Sequence, residues 1–163
     1  MSTAADRTVT VFGADANALV PVMEIMHAAF DPVYGEAWNA AQCAAVIGGP
    51  GVWLLIAELD GRPAGFALTR SIVDEAELLL IAVHPDARRC GVGAALLEAV
   101  LDGCRQRSVD RVFLEVRACN SAIGLYTSFG FCKVGERRNY YRGANGRLYD
   151  AHSYSLTLKN LKN

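Results

Sequence analysis

The chain has 163 residues, 52% of them hydrophobic, and a formal net charge of −1 at pH 7. This composition excludes a disordered chain, and the length predicts a single domain, residues 1–163, with a buried core. The near-neutral charge offers no electrostatic basis for binding nucleic acid or an anionic membrane. No apolar run approaches the roughly 20 residues that span a bilayer, and the first residues lack a signal-peptide pattern. We therefore expect a cytoplasmic protein.

Cysteine and histidine residues give no pattern of a metal site. The five cysteines are Cys43, Cys90, Cys104, Cys119 and Cys132. Their odd number, wide spacing and lack of a C-x-x-C pair predict free thiols, without a disulfide framework or zinc. The three histidines are also scattered, so no metal cofactor is expected.

The predicted elements begin with a strand over 8–12, where polar and apolar residues alternate. Asp15 is a candidate N-cap for a helix over 16–29, although Pro21 also suits the start of a helix. An alanine-rich helix over 39–47 follows and ends before a Gly-Gly-Pro sequence.

Two apolar runs, 52–59 and 64–72, are separated by a sequence that begins with Asp60-Gly61. Asp-Gly is typical of a two-residue hairpin turn, so these runs predict an antiparallel pair. A second turn leads to an aliphatic strand over 78–83. The first part of the sequence thus predicts three antiparallel strands, followed by the aliphatic strand as the fourth.

The second half alternates helix and strand patterns. The predicted elements are a helix ending near Arg107, a strand over 111–116, a helix over 121–129, and strands over 131–139 and 148–158. Together with the first half, this order predicts an α/β (α+β) protein with a mixed sheet.

The loop after the fourth strand is Arg88-Arg89-Cys90-Gly91-Val92-Gly93. A glycine-bearing loop that opens a helix presents unpaired amides to an anion such as phosphate. The loop lacks the pattern of both common nucleotide-binding motifs. Many such glycines only cap a helix or allow close packing, so the loop alone is weak evidence for phosphate binding.

The wider sequence resembles the GNAT superfamily of N-acetyltransferases. Arg88-x-x-Gly91-x-Gly93 is similar to the family signature whose amides hold the pyrophosphate of acetyl-CoA, and similarity extends over about 52–134. The resemblance implies the GNAT fold, a mixed sheet of six to seven strands flanked by about four helices. It also implies a cofactor cleft between the fourth and fifth strands, with acetyl-CoA as cosubstrate.

Within that family the chain most resembles the RimI-type enzymes, which acetylate the N-terminal alanine of a ribosomal protein. The shared segments are 114–118, 125–126, 138–141 and 150–151. The resemblance implies an acetyl-CoA-dependent N-acetyltransferase that acts on a protein N-terminal α-amine by direct transfer in a ternary complex. Its expected partner is a protein or peptide N-terminus, and the oligomeric state stays open.

The resemblance also implies a set of cofactor-binding residues. They are Ile81, Ala82 and Val83 for the pantetheine arm, Arg88, Arg89, Cys90, Gly91, Val92, Gly93 and Ala94 for the pyrophosphate, and Asn120. Ile81, Ala82 and Val83 fit a buried strand equally, and Arg88 and Arg89 fit a solvated surface. Cys90 departs from the family, where this position is often basic. The segment between Asn120 and Tyr126 is one residue shorter than usual, which puts Asn120 in doubt.

Glu115 and Tyr126 are the catalytic residues that the resemblance implies. Glu115 would be the general base for an amine whose ordinary pKa is about 7.7–8.0. By its position alone, Glu115 would instead pair with Arg117, two residues along the same strand. Tyr126 would protonate the departing thiolate, whereas helical spacing alone predicts a core aromatic.

Tyr34, Trp38, Tyr140 and Tyr141 are candidates for an acceptor-binding groove, although ordinary packing explains each of them too. One alternative function is acetylation of a small-molecule amine of the polyamine or aminoglycoside type. A non-catalytic acyl-CoA-binding module is the other. A polycation site would be expected to collect acidic residues, and these are sparse in the loops.

Overall fold

The computed structural model describes residues 6–158. Its helices and strands are, in chain order, β1 (Val9–Ala14), α1 (Leu19–Ala29), α2 (Ala40–Val46), β2 (Val52–Leu59), β3 (Arg62–Ile72), β4 (Glu75–Val83), α3 (Val92–Gln106), β5 (Arg111–Arg117), α4 (Ile123–Ser128), β6 (Cys132–Arg142) and β7 (Leu148–Thr157). Among these residues no helix is both long and apolar enough to cross a membrane.

The segment 16–29, predicted as one helix, consists of a short 3-10 turn followed by an α-helix. Asp15 accepts a hydrogen bond from the Asn17 amide at 2.9 Å and caps a short 3-10 turn over 16–18. The α-helix begins at Leu19, with Pro21 in its first turn, where the N–H that proline lacks has no intrahelical partner anyway. The proline therefore sets where α1 begins.

The hairpin between β2 and β3 confirms the prediction from Asp-Gly. Asp60 and Gly61 both have left-handed backbone conformations, with φ of 53° and 80°. Two successive positive φ angles are the type I′ geometry, which matches the twist of the flanking strands.

All seven strands form one sheet, in the order β1-β2-β3-β4-β5-β7-β6. β4 and β5 run parallel, and every other neighbouring pair is antiparallel. This confirms the predicted mixed sheet. Several predicted strands were too short, and the largest differences are at β4, which begins at Glu75 rather than 78, and at β6, which continues past 139 to Arg142.

Helices cover both faces of the sheet, with a separate core cluster on each. The α3 cluster, on one face, joins Leu96, Leu97 and Val100 to Val112 and Leu114. The α1–α2 cluster, on the other face, joins residues of those two helices to Leu54, Ile56, Phe66 and Leu68.

One extra residue in β4 changes which of its side chains face each cluster. Leu68 of β3 pairs with Leu80 and Thr69 with Leu78, so Leu79 is bulged. The bulge reverses the alternation of side chains. Leu78 therefore packs in the α3 cluster and Leu80 in the α1–α2 cluster.

The parallel pairing of β4 with β5 is short. It runs from Glu75 opposite Arg111 to Leu78 opposite Leu114. The two strands separate beyond this point, at the bulge. The remaining part of β4, as far as Val83, pairs with β3 on one side only and has its other edge toward the gap.

Candidate active site

A cavity of about 490 Å³ occupies the gap between β4 and β5. Most of the residues implied by the resemblance meet in its lining. These are Ile81, Ala82, Val83, Arg88, Gly93, Asn120, Glu115, Tyr126, Tyr34, Trp38, Tyr140 and Tyr141. The other five lie next to it, in the loop and first turn of α3, but outside the lining. These are Arg89, Cys90, Gly91, Val92 and Ala94.

The start of α3 forms one end of the cavity. Gly91 is the N-cap, with φ of 82°, and no side chain of residues 6–158 caps the helix. The first backbone hydrogen bond runs from the Ala95 amide to the Gly91 carbonyl at 3.0 Å, so the amides of residues 92–94 precede it. A Cβ atom on Gly93 would lie 3.2 Å from Leu125 Cδ2, so glycine lets α3 and α4 approach closely. Three amides at a positive helix end fit an anionic group.

Two arginines have contacts at this loop that its motif does not reveal. Arg88 Nη2 donates to the Ala29 carbonyl at 3.4 Å, so its side chain holds the end of α1. Arg7 Nη1 donates to Cys90 Sγ at 3.1 Å. Arg7 therefore places a positive charge beside the position where Cys90 provides none.

Glu115 lies on β5 directly after the last residue that pairs with β4. Its Oε1 forms an ion pair with Arg137 Nε of β6 at 2.9 Å. The alternative of a pair with Arg117 is wrong, because Arg117 pairs with Glu36. Both partners come from distant parts of the chain, which residue spacing along one strand does not reveal.

Tyr140 reaches Glu115 because β6 bulges. Three residues, 138–140, lie opposite the single residue Asp150 of β7, and Asn139 is left-handed with φ of 55°. The Asn139 amide donates to Asp150 Oδ1 at 2.9 Å, which holds the bulge. Burial, then the charge and hydrogen-bonding of Glu115, raise the pKa of Tyr140. Tyr141 meets Tyr140 edge to face at 5.0 Å between ring centroids.

Glu36 is a site residue that the sequence did not identify. It accepts hydrogen bonds from Arg117 Nε at 3.1 Å and Asn120 Nδ2 at 3.4 Å. The Arg117 guanidinium also stacks on the Tyr34 ring, 3.6 Å from its centroid. The only signal in the sequence was a charged residue between two loop aromatics, Tyr34 and Trp38. Trp38 itself is half-buried and packs against the α1–α2 cluster.

The loop after α1, which lines the cavity, is joined to the turn between β6 and β7. The Ala144 amide donates to the Pro32 carbonyl at 3.1 Å. Two glycines permit the contact, since a Cβ atom on Gly143 would lie 1.8 Å from the Val33 carbonyl oxygen. A Cβ atom on Gly35 would lie 1.9 Å from the Arg142 oxygen.

Tyr126 is both a core aromatic and a cavity residue. It is 5% exposed, and its ring lies 6.1 Å from that of Phe131 in an edge arrangement. Burial raises the pKa of Tyr126 above its ordinary value of 10.0, and the neighbouring Tyr141 and Glu36 raise it further. The hydroxyl thus keeps its proton at neutral pH.

Asn120 is engaged within the protein. Its Oδ1 accepts from the Ala122 amide at 2.9 Å, at the start of α4, while its Nδ2 contacts Glu36. The role of Asn120 toward a cofactor stays a prediction.

Three carboxylates line the cavity beside an arginine. Glu36 pairs with Arg117, Glu115 with Arg137, and Glu77 with Arg70 at 3.4 Å. A fourth, Asp31, accepts from the Val33 amide at 3.0 Å. The carboxylates therefore do not form an unpaired acidic cluster of the kind that binds a polycation.

Comparison with known proteins gives a consistent result. The model of the acetyltransferase (GNAT) family matches residues 19–131. The ribosomal protein bS18-alanine N-acetyltransferase of Escherichia coli K12 is 49% identical over 89 residues, which are 54% of this chain and 60% of that protein. The alignment thus spans three fifths of the length of that curated relative.

Solved structures extend the likeness to nearly the whole chain. The crystal structure of the ribosomal-protein-S18-alanine N-acetyltransferase from Escherichia coli superposes with a TM-score of 0.82 at 35% identity, covering 96% of this chain and 100% of that one. A putative acetyltransferase from Salmonella typhimurium, solved with acetyl-CoA, has a TM-score of 0.74 at 22% identity over 95% of this chain and 96% of that one, which shows the shared fold.

Proposed function

The chain belongs to the acetyltransferase (GNAT) family, and we propose that it transfers the acetyl group of acetyl-CoA to a protein N-terminal α-amine. The proposed acceptor is the N-terminal alanine of a ribosomal protein, because the similar enzymes are named for that reaction. The separation of β4 and β5 carries this proposal. The free edge of β4 and the first amides of α3 therefore lie at one end of the cavity. Glu115, Tyr140 and Tyr141 lie at the other end.

The cofactor end of the cavity fits two polar parts of acetyl-CoA, the pantetheine arm and the pyrophosphate. The main chain of residues 81–83 would bind the pantetheine arm, and the amides of residues 92–94 would bind the pyrophosphate. Arg7, beside Cys90, adds positive charge there. Acetyl-CoA, when bound, supplies an activated thioester carbonyl, and an N–H near Val83 would stabilise the charge on its oxygen.

Glu115 is the proposed general base. An α-amine has an ordinary pKa of about 7.7–8.0, so only one proton must leave before it can attack. Glu115 would take that proton, directly or through a water molecule. The amine then attacks in a ternary complex, and no cysteine becomes acetylated.

Tyr126 is the proposed donor to the departing sulfur. A thiol has an ordinary pKa of about 8.5, well below the raised pKa of Tyr126. Full proton transfer from tyrosine to the thiolate is therefore unfavourable. Tyr126 would act chiefly by donating a hydrogen bond, which stabilises the thiolate as it forms.

The acceptor end favours a peptide over a polyamine. Tyr34, Tyr140 and Tyr141 present aromatic surface and hydroxyl groups, which suit a peptide main chain and a small first side chain. The pairing of Glu36, Glu77 and Glu115 with arginines leaves little free negative charge for a polycation.

The test is a thiol-release assay with acetyl-CoA and an alanine-initiated peptide. The N-acetylated peptide and spermidine serve as comparison acceptors. We expect turnover of the free peptide, and a fall in kcat of about 100-fold or more in Glu115→Gln. Glu98→Gln, an exposed position on α3, is the matched control. Turnover of spermidine but not of the peptide would contradict the proposed acceptor. Absence of turnover with every amine would contradict the proposed enzymatic activity.

A further inference from the structure

A second cavity, also of about 490 Å³, continues the candidate active site along the sheet. The two cavities share Glu77, Leu114, Glu115 and Tyr140 in their linings, so they meet at Glu115. We call this second cavity the sheet groove. Its other lining residues are Arg70, Ile72, Glu75, Ala76, Phe113, Arg137 and Ser153.

The floor of the sheet groove is a row of paired strand residues. Arg70 of β3 pairs with Glu77 of β4, Glu77 with Phe113 of β5, and Phe113 with Ser155 of β7. Residues paired across a sheet share a face, as do residues two apart on one strand. Phe113 therefore lies on the same face as Glu115.

Helices leave this part of the face open. α1 and α2 pack over its other end, at residues such as Phe66, Leu68 and Leu80. Phe113 and Ile72 belong to neither core cluster in the described residues 6–158, and Ile72 is 64% exposed. The sheet groove thus contains apolar surface that no helix of residues 6–158 covers, with the Arg111 guanidinium 5.7 Å from the centroid of the Phe113 ring.

The charges of the sheet groove are largely paired. Arg70 binds Glu77 at 3.4 Å, and Arg137 binds Glu115 at 2.9 Å. Glu75 lies at the outer end. A phosphate or a polycation would require an excess of one charge, whereas a peptide main chain with an apolar side chain requires none.

We propose that the sheet groove binds the acceptor polypeptide beyond its second residue, in an extended conformation, with an apolar side chain against Phe113. This inference rests on the proposed function, which puts the acceptor amine at Glu115. Phe113 is two residues along β5 from Glu115, about 7 Å at the usual rise of a strand. An extended acceptor rises at the same rate, so its third residue reaches Phe113 and its fifth is level with Ile72, which pairs with Glu75 opposite Arg111.

The test compares kcat/KM for three acceptors in the same enzyme preparation. They are an alanine-initiated dipeptide amide, a hexapeptide with the same first two residues and leucine at its third and fifth positions, and a hexapeptide with glycine there. We expect the leucine hexapeptide to exceed the dipeptide by about tenfold, with the glycine hexapeptide between them. The ratio between acceptors is independent of the fraction of enzyme that is folded.

Two variants and a control locate the effect. Phe113→Ala and Ile72→Gln should each reduce the ratio of leucine hexapeptide to dipeptide to about threefold or less. Ile72 is exposed, so its substitution leaves both core clusters intact. Phe12→Ala, a partly exposed aromatic on β1 at the far side of the sheet, should keep the wild-type ratio.

The outcomes separate this inference from the proposed function. If kcat/KM does not depend on acceptor length, or if the ratio of leucine hexapeptide to dipeptide is unchanged in both groove variants, the proposed role of the sheet groove is wrong. The proposed function would be unaffected by either result. Absence of turnover with every peptide would overturn the proposed function, and this inference with it.

Discussion

Glu36, on the loop after α1, and Arg117, at the end of β5, form an ion pair with 3.1 Å between Oε1 and Nε. The side chains are only 9% and 12% exposed, so water screens the pair little. Arg117 also stacks on Tyr34, and Glu36 also contacts Asn120. This pair therefore fixes the loop wall of the cavity to the strand that carries Glu115.

Glu36→Gln should destabilise the protein by about 3 kcal/mol, because it leaves the Arg117 charge buried without its partner. We expect KM for the peptide to rise, since the loop wall loses its attachment to β5. Urea unfolding and steady-state kinetics measure the two effects. Asp102→Asn, which breaks an exposed pair with Arg105, should cost less than about 1 kcal/mol. Equal effects in the two variants would contradict the structural role of Glu36.

Gly143→Ala should separate the loop after α1 from the β6–β7 turn. The added Cβ atom would lie 1.8 Å from the Val33 carbonyl oxygen, and backbone must move to relieve that contact. We expect kcat/KM for the peptide to fall about tenfold or more, while CoA binding measured by calorimetry changes little. Gly124→Ala is the control, because a Cβ atom there meets nothing within 4 Å. A parallel loss of CoA binding would show that the wall also supports the cofactor end.

Asp150→Ala should release the β6 bulge. Its carboxylate accepts from the Asn139 amide, and hydrogen bonds to charged groups contribute about 1.5–3 kcal/mol. Without that bond Tyr140 loses its position beside Glu115, so peptide KM should rise. Asp150→Asn keeps an oxygen acceptor and should recover part of the loss. If the two variants behave alike, the charge at residue 150 matters and the bulge does not.

Tyr126 should not produce an alkaline fall in kcat below about pH 10. Its pKa is raised above 10.0 by burial and by Tyr141 and Glu36, so the protonated form persists beyond that pH. Tyr126→Phe should lower kcat about 10- to 100-fold at every pH and leave the shape of the profile unchanged. A descending limb below pH 10 that disappears in the variant would disprove this assignment.

Cys104 should make the fold less stable at alkaline pH. Burial raises the pKa of this thiol from 9.0 to about 11, against the opposing charges of Arg107 and Arg105. The folded state then holds a proton that the unfolded state releases, so this contribution is complete below about pH 9 and is lost toward pH 11. The advantage of wild type over Cys104→Ala in urea unfolding should shrink by on the order of 2 kcal/mol over that interval. A difference between wild type and Cys104→Ala that stays constant over that interval would contradict this role of the Cys104 thiol.

Local signals in the sequence predicted most of the fold. Asp60-Gly61 specified its turn because both residues readily adopt the left-handed conformation that a type I′ turn requires. The start of β4 was not predicted because Glu75 and Glu77 lie on an uncovered face of the sheet. A segment with two such polar residues resembles a turn in the sequence. The continuation of β6 was not predicted because asparagine is typical of turns, and Asn139 therefore resembles the end of a strand. In the structure Asn139 is left-handed within the strand.

Contacts between distant residues could not be predicted from the sequence. Glu36 and Arg117 are 81 positions apart, and only the folded sheet brings them together. The separation of β4 from β5 was implied by family resemblance, whereas its local cause, the extra residue at Leu79, has no sequence signal. Leucine at 78, 79 and 80 gives no indication of which residue is bulged.

The separate clusters on the two faces of the sheet also affect how this sequence can change. Because the two faces of the sheet carry separate clusters, the packing behind α3 is largely independent of the packing around α1 and α2. Substitutions that alter the support of the loop carrying Tyr34 and Glu36, and so acceptor preference, can leave the packing behind α3 unaltered. Acceptor choice and cofactor affinity can thus evolve at separate positions.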